Sequence, residues 1–390
     1  MVTAQTVQTP EAGSGWQEWV SPPPPNRRLK YLMRAVREGA LSGDGRYSGQ
    51  CERWIEENCQ TRRAMLTPSC TSALELSALL LNIGPGDEII MPSYTFCSTA
   101  NAFVLRGAVP VLVDVLRDDL TIDPAAIRAN ITERTRAIVP VHYAGNACAM
   151  DAVLEIASEH QLFVIEDAAQ AMMSKYRSRP LGSLGQIGCV SFHATKDISS
   201  GHGGAILINE PALIGRAEII RDRGTNRASF RKGEIDRYSW VDIGSSFFIS
   251  ELCSAYLLWQ FEAASLIAAQ RRRICRAYRA GLTGLHGGGA IQLPTPGLGS
   301  EGNGHFFYFF ASDAGARGKL LDWLTARGIA ASFHYTPLHQ SDAGRRYCRV
   351  GGSLDVTEEM SARIVRLPVQ TEMTFGAVER IVDAVHEFFQ

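Results

Sequence analysis

A strong charge of either sign is missing from this chain of 390 residues: 39 lysines and arginines stand against 40 aspartates and glutamates, for a net charge of −1. No region is strongly basic, which argues against nucleic acid as the main partner. Cys-x-x-Cys pairs are absent as well. The nine cysteines are scattered and odd in number, so neither a disulfide framework nor a zinc site is indicated, and a reducing cytoplasm is the expected setting. No run approaches the roughly 18 apolar residues of a membrane span. Residues 1–15 are polar and lack a hydrophobic signal core, so no membrane association is expected.

The common enzyme signatures are wanting too. Gly287-Gly288-Gly289 is not a Gly-x-Gly-x-x-Gly after a strand, so the nicotinamide fingerprint is lacking. No Walker loop, His-Glu-x-x-His or Gly-x-Ser-x-Gly occurs. His142, His193 and His202 do not have metal-ligand spacing, and no metal is expected.

What is present is 45% apolar residues, enough for a large core in roughly two to three domains of about 150 residues. Residues 69–210 alternate between helix and strand patterns. Helices are predicted over 71–81, 98–105 and 150–160. Strands are predicted over 88–91, 109–113, 136–141, 162–165 and 204–208. Such alternation implies an α/β fold with a mainly parallel central sheet covered by helices. Ligands of such sheets bind outside the carboxyl ends of the strands. Residues 251–281 form one long helical pattern, with Leu252, Tyr256, Trp259 and Ala263 at three- and four-residue spacing. Arg271, Arg272, Arg273, Arg276 and Arg279 read as a solvated helix face rather than an anion site. After a Gly- and Pro-rich connection, a strand over 306–311, a helix over 319–327, a strand over 329–334 and a helix over 375–389 suggest a smaller α+β domain. The expected division is an N-terminal tail or arm over 1–25, a large domain over 26–265 and a small C-terminal domain over 266–390, with the long helix crossing the boundary.

Two stretches belong together: Glu166-Asp167-Ala168-Ala169-Gln170 and Ser191-Phe192-His193-Ala194-Thr195-Lys196. Each follows an apolar run that reads as a buried strand, so an aspartate and a lysine converge at one sheet edge. Pyridoxal 5′-phosphate needs that pair. Lysine forms a Schiff base with the aldehyde, and aspartate keeps the pyridine nitrogen protonated so that the ring takes up electrons. Lys196 is thus the predicted covalent anchor and acid/base, and Asp167 the pyridinium partner. Gln170, one helical turn on, is within reach of the ring hydroxyl. Ser69-Cys70-Thr71-Ser72 leads into a helix whose N-terminus suits a phosphate, and Ser191 adds a hydroxyl. Phe96 follows a strand and is suited to stack on the ring; Tyr94 competes for that role.

With these residues in hand, the chain resembles the DegT/StrS family of pyridoxal-phosphate-dependent sugar aminotransferases, of the aspartate-aminotransferase fold type (type I), over residues 26–390. The likeness is carried by Ser42-Gly43-Asp44-Gly45, Pro85-Gly86-Asp87-Glu88, Pro92-Ser93-Tyr94-Thr95-Phe96, Val139-Pro140-Val141-His142-Tyr143-Ala144-Gly145, the Asp167 and Lys196 stretches, and His334-Tyr335-Thr336-Pro337-Leu338-His339. Within the family it looks most like the dTDP-4-amino-4,6-dideoxygalactose transaminase branch, through 139–145, Arg223-Gly224-Thr225-Asn226-Arg227 and Asp242-Ile243-Gly244-Ser245-Ser246.

The resemblance implies Lys196 as the Schiff-base lysine, with Asp167, Gln170, Phe96, Cys70, Thr71 and Ser191 around the cofactor. It implies His334, Tyr335 and Tyr94 on the substrate side. Ser246 sits where most members carry an asparagine that reaches the other subunit's cofactor. Cys70 replaces a more common glycine, and His202 a usual Glu or Asp. A cytoplasmic homodimer with shared active sites follows. Its expected reaction moves the amine of L-glutamate onto a nucleotide-linked keto sugar, dTDP-4-keto-6-deoxyglucose at C4, with the galacto product favoured. Amination at C3, or of a cyclitol or another nucleotide sugar, is the alternative within the family. A sugar dehydratase of the same fold carries histidine in place of the lysine, so Lys196 argues against it. A regulatory relative without catalysis is disfavoured because the lysine and aspartate are both kept.

Overall fold

The computed structural model describes residues 25–390. Of the expected N-terminal arm, residues 1–24 lie outside the described residues, and Pro25 opens helix Pro25–Glu38. The centre is an eight-stranded sheet in the order Arg63–Thr67, Gly204–Ile208, Ile187–Ser191, Phe163–Asp167, Thr135–Ile138, Glu88–Pro92, Val109–Val113, Arg349–Val350. From Ile187–Ser191 to Arg349–Val350 every pairing is parallel. Only Gly204–Ile208 is reversed, running antiparallel to both its neighbours.

These strands are short and almost wholly buried because both faces are covered, so they read as continuous apolar runs rather than alternating ones. Their side chains still alternate. Ile90, Val111, Val164, Val190 and Leu207 enter one core, and Ile89, Leu112, Ile165, Cys189 and Ile206 the other.

The reversed strand positions the lysine. Antiparallel neighbours can be joined by a short connection, whereas parallel ones need a long crossover. Residues 192–203 therefore never leave the sheet edge where Ile187–Ser191 ends, and Lys196 lies on that excursion. Asp167 ends the adjacent strand, in register with Cys189. Gly204 opens the returning strand against the helix Cys70–Leu80. A Cβ there would lie 2.4 Å from the Cys70 nitrogen, so no larger residue fits this approach.

The long helix expected over 251–281 is two helices, Glu251–Glu262 and Ala264–Gly287, bent by 63°. Each serves a different core: Leu257 and Phe261 face the main sheet, whereas Ile274, Tyr278 and Leu282 face a second core. That second core covers a three-stranded antiparallel sheet of Ile291–Gln292, Phe307–Ala311 and Ile364–Leu367. The strand expected over 329–334 is extended chain with a single bridge, Ser332 to Arg366. Residues 338–351 return to the main sheet. The Leu338 amide donates to the Ser93 carbonyl at 2.9 Å, and Arg349–Val350 adds the edge strand. The segment 266–390 thus contributes to the main sheet as well as to its own. Among the described residues no single helix is long and apolar enough to cross a membrane.

Candidate active site

Glu166 and Asp167 are consecutive strand residues, so their side chains leave opposite faces of the sheet. Glu166 is fully buried. Its carboxylate accepts from the amides of Gly182, Leu184 and Gly185 at 2.8, 2.7 and 2.7 Å, and from His142 Nε2 at 3.0 Å. His142 Nδ1 accepts from the Cys148 amide, which assigns the ring proton to Nε2. Gly182, at φ +90°, adopts a conformation that suits glycine. Glu166→Ala strands four buried donors, and we expect it to cost about 4 kcal/mol of stability, read as a lowered urea midpoint.

Asp167 faces a cavity of about 540 Å³ lined also by Lys196, Gln170, Phe96, Cys70, Thr71, Ser191, His334 and Tyr335. The structure therefore brings nine of the predicted residues to one space. Asp167 Oδ2 accepts from Thr99 Oγ1 at 2.8 Å, and Oδ1 from the Ala169 amide at 3.1 Å. Burial raises its pKa above the usual carboxylate range, against the pull of these donors and of Lys196. A protonated ring nitrogen would supply the cation that this carboxylate lacks. Thr99 was not foreseen; it lies on the helix Cys97–Val104, and its hydroxyl also meets Thr95 Oγ1 at 2.9 Å.

Lys196 is held below the usual lysine pKa, chiefly by burial, with Asp167 and Asp197 pulling the other way. That favours the neutral amine, the form that acts as nucleophile. The next residue, Asp197, fixes the excursion. It accepts from His305 Nδ1 at 2.8 Å and Asn303 Nδ2 at 2.9 Å, and pairs with Arg271 Nη2 at 3.0 Å. Despite its burial, Arg271 and His305 keep its carboxyl below the ordinary range. Arg271 thus departs from the expected solvated face: it is buried and paired, while Arg273 and Arg276 on the same helix are exposed. Burial also pushes His305 down to about 4 and His334 down to about 2.

Gln170 is oriented at both ends. Its Oε1 accepts from the Ala144 amide at 2.7 Å, and its Nε2 donates to the Tyr335 hydroxyl at 2.9 Å. Tyr335 stacks on His334 with ring centroids 3.7 Å apart. The amino end of Cys70–Leu80 opens on the cavity; Ser69 caps it by accepting from the Ser72 amide at 3.0 Å, and Thr71 Oγ1 donates to Ser98 Oγ at 2.8 Å.

Two predicted residues are not brought to the cavity. Tyr94 is 1% exposed and packs against Tyr143 and Tyr335 behind the wall, whereas Phe96 is 55% exposed and lines the space. Of the two aromatics, then, only Phe96 can meet a ligand. Ser246 is exposed and accepts from Arg223 Nη2 at 3.1 Å, away from this chain's own cavity.

An amine poised for deprotonation, a carboxylate open to an N–H donor and a helix amino end share this space. The set fits pyridoxal phosphate.

Comparison with known proteins agrees. Residues 25–386 match the model of the DegT/DnrJ/EryC1/StrS aminotransferase family. UDP-4-amino-4-deoxy-L-arabinose--oxoglutarate aminotransferase of Shewanella sediminis is 32% identical over 372 residues, covering 92% of this chain and 94% of its own. GDP-perosamine synthase of Caulobacter vibrioides is 30% identical over 363 residues, covering 92% and 94%. The X-ray structure of DesV from S. venezuelae superposes with a TM-score of 0.85 at 31% identity, covering 93% of this chain and 94% of DesV.

Proposed function

Because the chain belongs to the DegT/DnrJ/EryC1/StrS aminotransferase family, we propose that it moves the amine of L-glutamate to C4 of dTDP-4-keto-6-deoxyglucose, giving the galacto-configured 4-amino sugar. That it is an aminotransferase of nucleotide sugars with pyridoxal 5′-phosphate as cofactor follows from the family and its relatives. The observation that carries the reading is the Lys196 amine and the Asp167 carboxylate lining one cavity. For C4 over C3, one relative's name places its amine on C4. For the dTDP-linked galacto series, the support is the motif likeness at 139–145, 223–227 and 242–246.

When bound, pyridoxal phosphate supplies an aldehyde that takes up the amine and a ring that withdraws electrons. The protein's own groups do the rest. Lys196 Nζ would hold the aldehyde carbon and, as a free amine, would move the proton at Cα of the donor. Asp167 would hold the proton on the ring nitrogen. The Gln170 amide would serve the ring oxygen, and Phe96 would pack on the ring. The amino end of Cys70–Leu80, with Thr71, and the Ser191 hydroxyl would receive the phosphate. His334 and Tyr335 would border the sugar. Ser246, exposed and outside its own cavity, supports a homodimer in which it serves the second copy. All nine cysteines are unbridged, which accords with a cytoplasmic setting.

The purified protein, given L-glutamate and dTDP-4-keto-6-deoxyglucose, is expected to form 2-oxoglutarate and a dTDP-linked 4-amino sugar whose C4 configuration NMR reads. Turnover only with a 3-keto sugar, or only with a UDP- or GDP-linked one, would reassign the acceptor. The absence of glutamate-dependent product with all of them would sink the reading.

A further inference from the structure

A second cavity, of about 580 Å³, adjoins the first and shares with it Thr195, Lys196, His305 and Arg366. Arg366 therefore stands in the partition beside the reactive lysine. It lies on the strand Ile364–Leu367, in register with Tyr308, and its backbone is pinned by paired hydrogen bonds to Ser332 at 2.7 and 3.1 Å. The guanidinium packs 4.0 Å from the centroid of the Phe306 ring. Its Nε is buried with no hydrogen-bond partner among the described residues. Of the three carboxylates that line the two cavities, Asp197 is committed to Arg271, His305 and Asn303, and Asp167 to Thr99 and the Ala169 amide; the third, Glu372, lines the second cavity alone. The imidazoles in the same lining, His305 and His334, bring no negative charge. A buried guanidinium N–H without an acceptor is costly unless a ligand brings one.

We infer that Arg366 is the receptor for a carboxylate of the amino donor, presented to the lysine from the partition between the two cavities. The inference rests on the transaminase reading of this site. An amino acid reacting at Lys196 carries its carboxylate one bond from the reacting carbon. The diphosphate of a nucleotide sugar, by contrast, is separated from a C4 keto group by the width of the sugar ring. An anion receptor beside the lysine therefore suits the donor. The planar fork of arginine matches a carboxylate in two hydrogen bonds, which a point charge does not. Arg366 also acts on the lysine through its field, adding to burial in lowering the Lys196 pKa, and a bound carboxylate would cancel that contribution.

The test is calorimetric titration of the cofactor-loaded protein with glutarate, a dicarboxylate that has no amine to react. Arg366→Ser is expected to weaken glutarate by about 30-fold or more. Arg366→Lys, which keeps the charge without the fork, should fall between. Binding of dTDP and UDP should be unchanged, as should melting temperature and cofactor content. Equal glutarate affinity in wild type and Arg366→Ser overturns the inference. So does a loss confined to dTDP or UDP, which would assign the arginine to the nucleotide diphosphate. If Arg366→Ser does not fold, Arg366→Gln, neutral and of similar reach, is read by the same criterion. Wild-type protein whose cofactor spectrum ignores L-glutamate sinks the transaminase reading itself. A normal wild-type response with an unaltered variant sinks only the role of Arg366.

Discussion

Lys196→Ala is expected to lower glutamate-dependent sugar amination by about 10⁴-fold or more. The sequence holds only five lysines. Lys30, Lys175, Lys232 and Lys319 are exposed, and Lys232 is paired with Glu218 at 3.0 Å. None lines the cavity, so no neighbour can take over the proton transfer at the donor's Cα. Lys196→Arg should fare no better: the guanidinium stays protonated at every working pH and cannot act as base or nucleophile. Borohydride should fix the cofactor's mass to the Lys196 peptide of the wild type and leave the alanine variant unlabelled. Full turnover in Lys196→Ala would end the assignment.

The second large effect is expected from Asp167→Asn, about 10³-fold on the half-reaction with glutamate. Asparagine matches the carboxylate in size and still has an oxygen for Thr99 Oγ1 or the Ala169 amide. What it loses is the negative charge. A neutral amide cannot hold a proton on the ring nitrogen against a buried environment. The variant should fold and load cofactor, because Gln170, Thr71 and Ser191 still line the same cavity. The slowing should therefore appear in stopped-flow spectra at saturating glutamate, as a loss of rate rather than of affinity. A half-reaction at the wild-type rate would remove Asp167 from this role.

Asp167 and Lys196 were legible in the sequence because both are local features, an acid closing an apolar strand and a lysine just past another. The strand ends supplied their common edge without knowledge of any contact. Tyr94 and Phe96 could not be separated in that way, since in an extended chain residues two apart share a face. Only the fold decides that Tyr94 meets Tyr143 while Phe96 leads into the helix Cys97–Val104.

Arg271 was misread for a related reason. Its helix carries several arginines, and local periodicity does not say which one meets Asp197. Glu166, Thr99 and Arg366 escaped notice because their roles come from partners, or from the want of one, far away in the chain. The extended 329–334 segment has the alternation of a strand, with Ile329, Ala331 and Phe333 on one side. It has only one bridge to make it one, so His334 and Tyr335 are free to turn into the cavity.

The one reversed strand also sets an order of assembly. Ile187–Ser191 and Gly204–Ile208 are near neighbours in the chain, so their pairing closes a small loop and loses little entropy. Among the described residues, Arg63–Thr67 has Gly204–Ile208 as its only strand neighbour in the sheet. On a ribosome it emerges long before that partner exists, and it must wait while the intervening strands are made. The helix Cys70–Leu80, whose amino end opens on the cavity, follows that strand almost directly. This wall of the cavity is thus among the first parts to be synthesised, while the strand beside it gains its sheet partner only once Gly204–Ile208 has been made.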